Sequence, residues 1–243
     1  MINYNFIFPG QGSQSVGMSK DILISNRSKA LFDEASELIG YDLHDICLNG
    51  PEDLLIKTKN TQPSVFTLSI LIDQILKESN IFPRAVAGHS LGEYAALVSS
   101  NVLKFRDALK LIILRCNEME KANNSNDGIM AAVLNASKND ISQIISLAKG
   151  VLVVANYNTK SQVVISGERS EINSAIDNFK SLSKKIKCIK LKVSGAYHSP
   201  LMKFARDALS NAINSLNFNN AEIPIYQNID AKPYQNAKKI KEN

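Results

Sequence analysis

Residues 85–94 read AVAGHSLGEY, and they are the most informative segment of the chain about its architecture. Its first part is a compact apolar run typical of a buried strand, and the residues after Gly92 have helical character. Ser90 therefore stands on a sharp turn between a strand and a helix, which is the arrangement of a nucleophile elbow. The glycines two positions before and after Ser90 allow the strand and the helix to approach closely. This placement predicts Ser90 as a nucleophile, with a structural turn serine as the alternative.

Strands and helices alternate on both sides of this turn. A strand candidate over residues 4–8 leads into a glycine-rich loop around Gln11, and segments with helical apolar spacing follow. Such alternation predicts a parallel sheet with helices on its faces. We assign residues 1–127 and 194–231 to one large, parallel-sheet α/β domain that is α/β-hydrolase-like.

A different pattern occupies residues 128–193. Its predicted elements follow the order β-α-β-β-α-β, which is the ferredoxin-like plan. Ser137 and Asp140 have the spacing of a capping box and predict a helix start. We therefore predict a small ferredoxin-like subdomain inserted into the large domain. Residues 232–243 contain four lysines and one glutamate and are predicted to form a basic polar tail.

The composition narrows the class of protein. The chain has 243 residues, of which 44% are hydrophobic and 21% are charged, and this suits one large or two small globular domains. The formal net charge is +5, but much of it lies in the predicted tail, so nucleic-acid binding gains little support. The first residues have neither the continuous apolar stretch of a signal peptide nor that of a membrane span. We expect a cytoplasmic monomer that does not bind membranes.

The three cysteines are Cys47, Cys116 and Cys188. They form no Cys-x-x-Cys pair, and no histidine brackets them at metal-ligand spacing. Reduced thiols in a cytosol-like compartment are therefore expected, and no metal site is predicted.

A serine nucleophile needs a general base, because its free hydroxyl reacts weakly at neutral pH. His44 lies in a polar stretch and is interpreted as a surface residue, and His89 is interpreted as a supporting or packing residue beside Ser90. His198 follows a predicted strand and precedes a helix start, at the sheet edge where active sites of open α/β folds gather. This predicts His198 as the base, with a core or capping histidine as the alternative.

Acyl transfer also needs hydrogen-bond donors for the developing oxyanion. The backbone N–H of Leu91 is one candidate, and the loop around Gln11 is the other, with a generic glycine turn as the alternative. Arg115 has apolar neighbours on its predicted helix. Spacing alone favours a pair with Glu118 or a snorkelling side chain, and a clamp on a substrate carboxylate is the functional alternative.

In combination, these motifs resemble those of malonyl-CoA:acyl carrier protein transacylases, whose acyltransferase domain also occurs in fatty acid and polyketide synthases. The resemblance covers essentially the whole chain, in the same order. The motifs that carry it are FPGQGSQ at residues 8–14, GHSLGEY at residues 88–94, Arg115, and HSPLM at residues 198–202.

The resemblance implies a reaction and a role for each residue. His198 deprotonates Ser90, which takes the malonyl group from malonyl-CoA and passes it to the phosphopantetheine thiol of acyl carrier protein. Backbone N–H groups of Gln11 and Leu91 hold the oxyanion, and Arg115 grips the malonyl carboxylate. No cofactor is implied, because malonyl-CoA is a substrate.

Two further expectations follow from the resemblance. Asn158, at a polar turn of the small subdomain, resembles a position close to the substrate. The family usually continues beyond the point where this chain ends, and the additional section includes a backbone carbonyl that orients the catalytic histidine. Two alternatives stay open beside the transferase. A serine acyl hydrolase of thioesterase or patatin-like type would use the same elbow, and the missing section suggests a truncated relic that binds carrier protein but is catalytically weak.

Overall fold

The computed structural model describes residues 4–22 and 26–243. Contacts between Cα atoms divide the chain into two compact units. Unit 1 comprises Met1–Cys116 and Ser210–Asn243, and unit 2 comprises Asn117–Leu209.

The described residues form strands and helices that alternate along most of the chain. In chain order the elements are β1 (Tyr4–Phe8), α1 (Asn26–Ile39), α2 (Leu43–Asn49), α3 (Glu52–Leu55), α4 (Thr58–Glu78), β2 (Pro83–Gly88), α5 (Gly92–Ser99), α6 (Phe105–Ser125), β3 (Gly128–Leu134), α7 (Lys138–Ser146), β4 (Leu152–Thr159), β5 (Gln162–Glu168), α8 (Arg169–Leu182), β6 (Lys187–Lys190), a 3-10 turn (Pro200–Met202), α9 (Lys203–Ser215), β7 (Ile225–Tyr226), β8 (Pro233–Tyr234) and α10 (Ala237–Glu242). The division between the units falls within α6 and within α9.

The sheet of unit 1 has the strand order β1-β2-β7-β8. Strand β2 pairs in parallel with both β1 and β7, and β8 adds an antiparallel edge. The carboxyl ends of the three parallel strands therefore lie at one edge of the sheet, which is where open α/β folds place their active sites. This sheet and the helices around it confirm the predicted α/β class.

The core of unit 1 is built around α4. Most of this helix is buried, and Phe66 stacks on Phe105 at the start of α6 with 5.2 Å between ring centroids. Leu109 and Ile112 of α6 are fully buried in the same cluster. Burial of each such side chain contributes on the order of 1.5–3 kcal/mol, so α4 and α6 give the site a rigid base.

The prediction of a polar tail over residues 232–243 is wrong. Strand β8 pairs with β7, and α10 follows it with Asn236 as the N-cap. Ile240 is only 3% exposed and belongs to the core of unit 1. The lysines mark the solvent face of a short helix, and the single apolar position among them is the buried one.

The interpretation of His44 as a surface residue is also wrong. It lies on α2, a helix for which the sequence analysis made no prediction. The imidazole is half-buried and lies 5.4 Å from the ring of Phe32, centroid to centroid. Asp42 caps the helix by accepting the Asp45 N–H at 2.9 Å, so the polar residues that suggested an exposed histidine form a helix N-terminus.

Unit 2 contains a four-stranded antiparallel sheet in the order β4-β5-β3-β6. Its elements from β3 to β6 run β-α-β-β-α-β, and α7 begins with a capping box formed by Ser137 and Asp140. Helices α7 and α8 contribute Ile144 and Phe179 to a separate core. The contact-based unit is wider than the subdomain proposed from sequence, because it also includes the end of α6 and the start of α9.

Two features bear on the environment of the protein. Cys47 and Cys116 are buried free thiols, and Cys188 is a half-buried one. Burial raises the pKa of Cys47 to about 11, which keeps this thiol protonated and unreactive at neutral pH. Within the described residues, no helix combines the length and the apolar character that a membrane crossing requires.

Candidate active site

Ser90 lies on the turn between β2 and α5 and has a φ of 50°. This left-handed conformation is costly for a residue with a side chain and occurs mainly where the surroundings enforce it. A Cβ on Gly88 would collide with the backbone of Gly92, and a Cβ on Gly92 would collide with the backbone of Phe8. Both glycines are therefore required for the close approach of β1, β2 and α5 that presents the serine.

Arg115 extends from α6 toward this turn. Its Nη2 donates a hydrogen bond to Ser90 Oγ at 3.1 Å, and its Nη1 donates to Gln62 Oε1 at 2.5 Å. The pair with Glu118 that spacing favoured is not the arrangement found, since Glu118 accepts a hydrogen bond from Lys121 at 2.6 Å. A half-buried guanidinium that contacts the nucleophile is well placed to bind an acyl group that carries a negative charge.

The Gln11 loop follows β1 at the same edge of the sheet. Gln11 Oε1 accepts a hydrogen bond from Gln62 Nε2 at 3.2 Å, and Gln11 Nε2 donates to Thr58 Oγ1 at 3.3 Å. Leu91 directly follows Ser90 and is buried at the start of α5. The two predicted oxyanion residues thus belong to the two loops that end β1 and β2.

The back of the serine turn is held by residues that the sequence analysis missed. Asn228, just beyond β7, accepts the Ser90 N–H through Oδ1 at 3.2 Å and donates from Nδ2 to Gly88 O at 2.9 Å. Glu93 accepts the Asn228 N–H at 2.9 Å and also contacts Asn228 Nδ2. Gln227 Nε2 donates to Glu93 at 3.1 Å. The only signal in the sequence is a run of polar residues after a predicted strand.

Tyr94 and His89 lie close to the nucleophile in sequence, and both are affected by the packing around the serine turn. Burial raises the pKa of Tyr94, and the nearby Arg115 cation partly opposes that shift. The side chain of His89 is exposed, and the backbone N–H of His89 donates to Phe8 O at 3.0 Å. A Cβ on Gly10 would lie 2.8 Å from His89 Nδ1, so this histidine packs over the Gln11 loop, in agreement with its predicted supporting role.

His198 and Asn158 lie in unit 2. His198 is exposed, has a φ of 57°, and precedes Ser199, the N-cap of the 3-10 turn, whose Oγ donates to Ala196 O at 2.7 Å. Asn158 is exposed near the end of β4. The structure brings together Ser90, Gln11 and Arg115 within unit 1, and the contribution of the two unit 2 residues to the chemistry stays a prediction.

The fold and the site define a class: an α/β protein with a serine on a strand-turn-helix elbow and a cation at the serine hydroxyl. The chain matches the acyl transferase domain family over residues 5–242. It belongs to this family and is an acyltransferase.

Several relatives are similar over most of their length. The chain is 35% identical to a malonyl CoA-acyl carrier protein transacylase of Synechocystis sp., across 98% of this chain and 78% of the relative. A Bacillus subtilis protein of the same name is 38% identical, across 100% of this chain and 62% of the relative. The chain thus spans between three fifths and four fifths of the length of these relatives.

Solved structures of malonyl-transacylases are also similar to this chain over nearly its whole length. A malonyl-transacylase in complex with its type II PKS acyl carrier protein is 34% identical and superimposes with a TM-score of 0.93, covering 99% of this chain and 79% of that one. An acyl carrier protein S-malonyltransferase from Vibrio cholerae is 35% identical with a TM-score of 0.93, covering 99% and 80%. The predicted family is therefore confirmed.

Proposed function

We propose that the chain transfers a malonyl group from malonyl-CoA to the phosphopantetheine thiol of acyl carrier protein, through a malonyl ester on Ser90. The observation that carries this proposal is the Arg115 guanidinium, whose Nη2 lies 3.1 Å from Ser90 Oγ. A malonyl ester has a carboxylate one methylene beyond its carbonyl carbon, within reach of such a cation. An acetyl ester has none and would leave the desolvated cation without an anionic partner.

The first half-reaction acylates the serine. His198 takes the proton of Ser90 Oγ as Oγ bonds to the thioester carbonyl carbon of malonyl-CoA. The backbone N–H groups of Gln11 and Leu91 stabilise the oxyanion. The C–S bond then breaks, and the coenzyme A thiolate leaves with the proton that His198 had accepted.

The second half-reaction reverses these roles. The pantetheine thiol gives its proton to His198 and attacks the ester carbonyl on Ser90. The bond from the carbonyl carbon to Ser90 Oγ breaks, and the serine recovers its proton from the histidine. Asn158 is proposed to lie near the acyl or pantetheine chain during both steps.

A basic surface on unit 2 supports an acidic carrier protein as the partner. Residues 178–206 contain eight lysine or arginine residues and no acidic residue. Lys187 and Lys190 are exposed on β6, an edge strand of the unit 2 sheet. Such a surface accelerates association with a negatively charged partner and makes the association sensitive to salt.

We place this activity in the cytoplasm, in fatty acid biosynthesis, and in a monomer. The free thiols support a reducing compartment. The names of the relatives support the choice of malonyl-CoA and acyl carrier protein as substrates.

Intact-protein mass spectrometry after mixing with malonyl-CoA tests the proposal. The wild-type chain is expected to gain one malonyl group and to lose it when carrier protein is added, whereas Ser90→Ala is expected to gain none. Arg115→Ala is expected to lower malonyl labelling about 100-fold while acetyl labelling changes little, because only malonyl has the carboxylate.

Three results would count against the transferase. Labelling of Ser90→Ala would remove the nucleophile assignment. Release of free malonate without carrier protein, as fast as transfer, would favour a hydrolase. A folded wild-type chain that binds carrier protein but gains no adduct would favour a catalytically weak relic.

A further inference from the structure

Gln62 is the residue that connects the arginine with the Gln11 loop. It lies on α4, and its side chain is fully buried, with 0% exposed. Its Oε1 accepts a hydrogen bond from Arg115 Nη1 at 2.5 Å, and its Nε2 donates to Gln11 Oε1 at 3.2 Å. Because a guanidinium only donates, this amide has one favourable orientation, with its oxygen toward Arg115.

We propose that Gln62 is a positioning residue that fixes the direction of the Arg115 guanidinium and so determines the preference for acyl groups that carry a carboxylate. This inference rests on the proposed function. An arginine side chain has many rotamers, and ordering them at the moment of binding lowers affinity. Gln62 holds Nη1 before substrate arrives and leaves Nη2 directed at Ser90.

The neutral charge of Gln62 is essential to this role. A glutamate at position 62 would pair with Arg115 inside the protein and compete with the carboxylate of the substrate. A leucine would fill a similar volume but would leave the guanidinium without its fixed acceptor. A buried amide orients the cation and preserves its charge for the incoming acyl group.

The same amide links the two substrate-binding functions of the site. Its other hydrogen bond reaches Gln11, which the proposed mechanism assigns to the oxyanion hole, and Gln11 is in turn held by Thr58 at the start of α4. Helix α4 therefore holds both the carboxylate clamp and the oxyanion loop in place. A malonyl group bound at both ends is positioned by a single rigid element.

The test compares Ser90 acylation by malonyl-CoA and by acetyl-CoA in wild type, Gln62→Glu and Gln62→Leu. The matched control is Thr67→Val, at another fully buried polar position of α4, whose Oγ1 has no hydrogen-bond partner among the described residues. Rates at several concentrations separate KM from kcat, and thermal unfolding is recorded for every variant. Stability alone does not change the ratio of the two acyl donors, so this ratio reports positioning.

For Gln62→Glu we expect the malonyl rate to fall about 100-fold relative to the acetyl rate. For Gln62→Leu we expect the KM for malonyl-CoA to rise about tenfold with a smaller change in kcat, and the acetyl rate to stay within about twofold. Thr67→Val should keep the wild-type ratio. A malonyl-to-acetyl ratio that is unchanged in both Gln62 variants overturns the inference, as does an equal loss for both donors.

These failures are distinct from a failure of the proposed function. If wild type forms the malonyl ester but the ratio does not respond to position 62, the function stands and the role of Gln62 is rejected. If wild type forms no malonyl ester, the function and the inference are both rejected. If Gln62→Glu does not fold, Gln62→Leu alone decides the question.

Discussion

The turn of Ser90 in unit 1 and the turn of His198 in unit 2 adopt the same unusual backbone conformation but are supported differently. Their φ angles are 50° and 57°, and a left-handed conformation costs a non-glycine residue on the order of 1–3 kcal/mol. Around Ser90 the conformation is enforced by backbone contacts at Gly88 and Gly92. Around His198 it depends on side-chain hydrogen bonds.

The support of the His198 turn centres on Asn123. Asn123 Nδ2 donates to Tyr197 Oη at 3.1 Å and to Ser194 Oγ at 3.4 Å, and Ser194 Oγ lies 2.8 Å from Tyr197 Oη. A Cβ on Gly195 would collide with the Asn123 side chain. One polar side chain from α6 thus supports the approach to His198, whereas two strands and a helix support Ser90. Because backbone contacts rearrange less easily than side-chain hydrogen bonds, we expect the serine turn to be the more rigid of the two.

The largest effect is expected for Gly92→Ala. The added methyl group collides with the backbone of β1, so the turn must move and Ser90 loses its position. We expect at least a 100-fold loss of Ser90 acylation and about 3 kcal/mol of destabilisation, measured by mass spectrometry and by urea unfolding. The matched control is Gly150→Ala, whose methyl group would have the flexible carboxylate of Glu168 as its nearest neighbour. Near-normal acylation in Gly92→Ala would mean that the turn is not held by backbone contacts.

A smaller effect is expected for Tyr197→Phe, which removes one hydroxyl from the support of His198. The lost hydrogen bonds are worth about 1 kcal/mol, so acylation should slow by roughly threefold to tenfold with little change in the KM for malonyl-CoA. Tyr157→Phe, at an exposed tyrosine of the same unit, should leave the rate unchanged. A loss as large as that of Gly92→Ala would remove the distinction between the two turns.

The smallest effect is a difference in cysteine reactivity between the two units, which alkylation measures. The pKa of Cys47 in unit 1 is raised to about 11 by burial, so only about one molecule in a thousand carries the thiolate at pH 8. Cys188 in unit 2 is half-buried on an edge strand, and burial raises its pKa while the nearby Lys180 cation opposes that shift.

We therefore expect iodoacetamide to label Cys188 before Cys47 at pH 8, with both labelled equally fast in urea. Because the reactive form is the thiolate, Cys47 labelling should increase as the pH rises toward 11. Labelling of Cys47 at the rate of Cys188 in the native protein would show that the core of unit 1 opens as readily as the edge of unit 2.

The sequence was sufficient for the parts of the site that are local. Gly88, Ser90 and Gly92 lie within one short motif, so their spacing alone predicts the turn. Gln62 and Asn228 were missed because their partners are distant in sequence: Arg115 is 53 residues from Gln62, and Ser90 is 138 residues from Asn228. Polar residues of this kind look the same in a surface loop and beneath an active site until the fold brings them together.

The wrong predictions for residues 232–243 and for Arg115 have a related cause, since both were made from neighbouring residues alone. Residues 232–243 were judged by their lysines, although Asn236 and Ile240 have the spacing of a capped helix with one buried position. Arg115 was first assigned to Glu118 because helical spacing accounts only for neighbours on the same helix. Its acceptors Gln62 and Ser90 come from α4 and from the turn after β2.

Helix α10 extends the support of the nucleophile beyond the serine turn itself. Gln227 Nε2 donates to Ile240 O, and Asn243 Nδ2 donates to Gln227 Oε1, so α10 holds the segment that carries Asn228 behind the nucleophile. Unfolding of α10 would remove the buried Ile240 side chain and both of these hydrogen bonds while leaving Ser90, Gln11 and Arg115 chemically unchanged. Damage to α10 would therefore reach the nucleophile from behind, through Asn228, without altering any residue of the candidate active site.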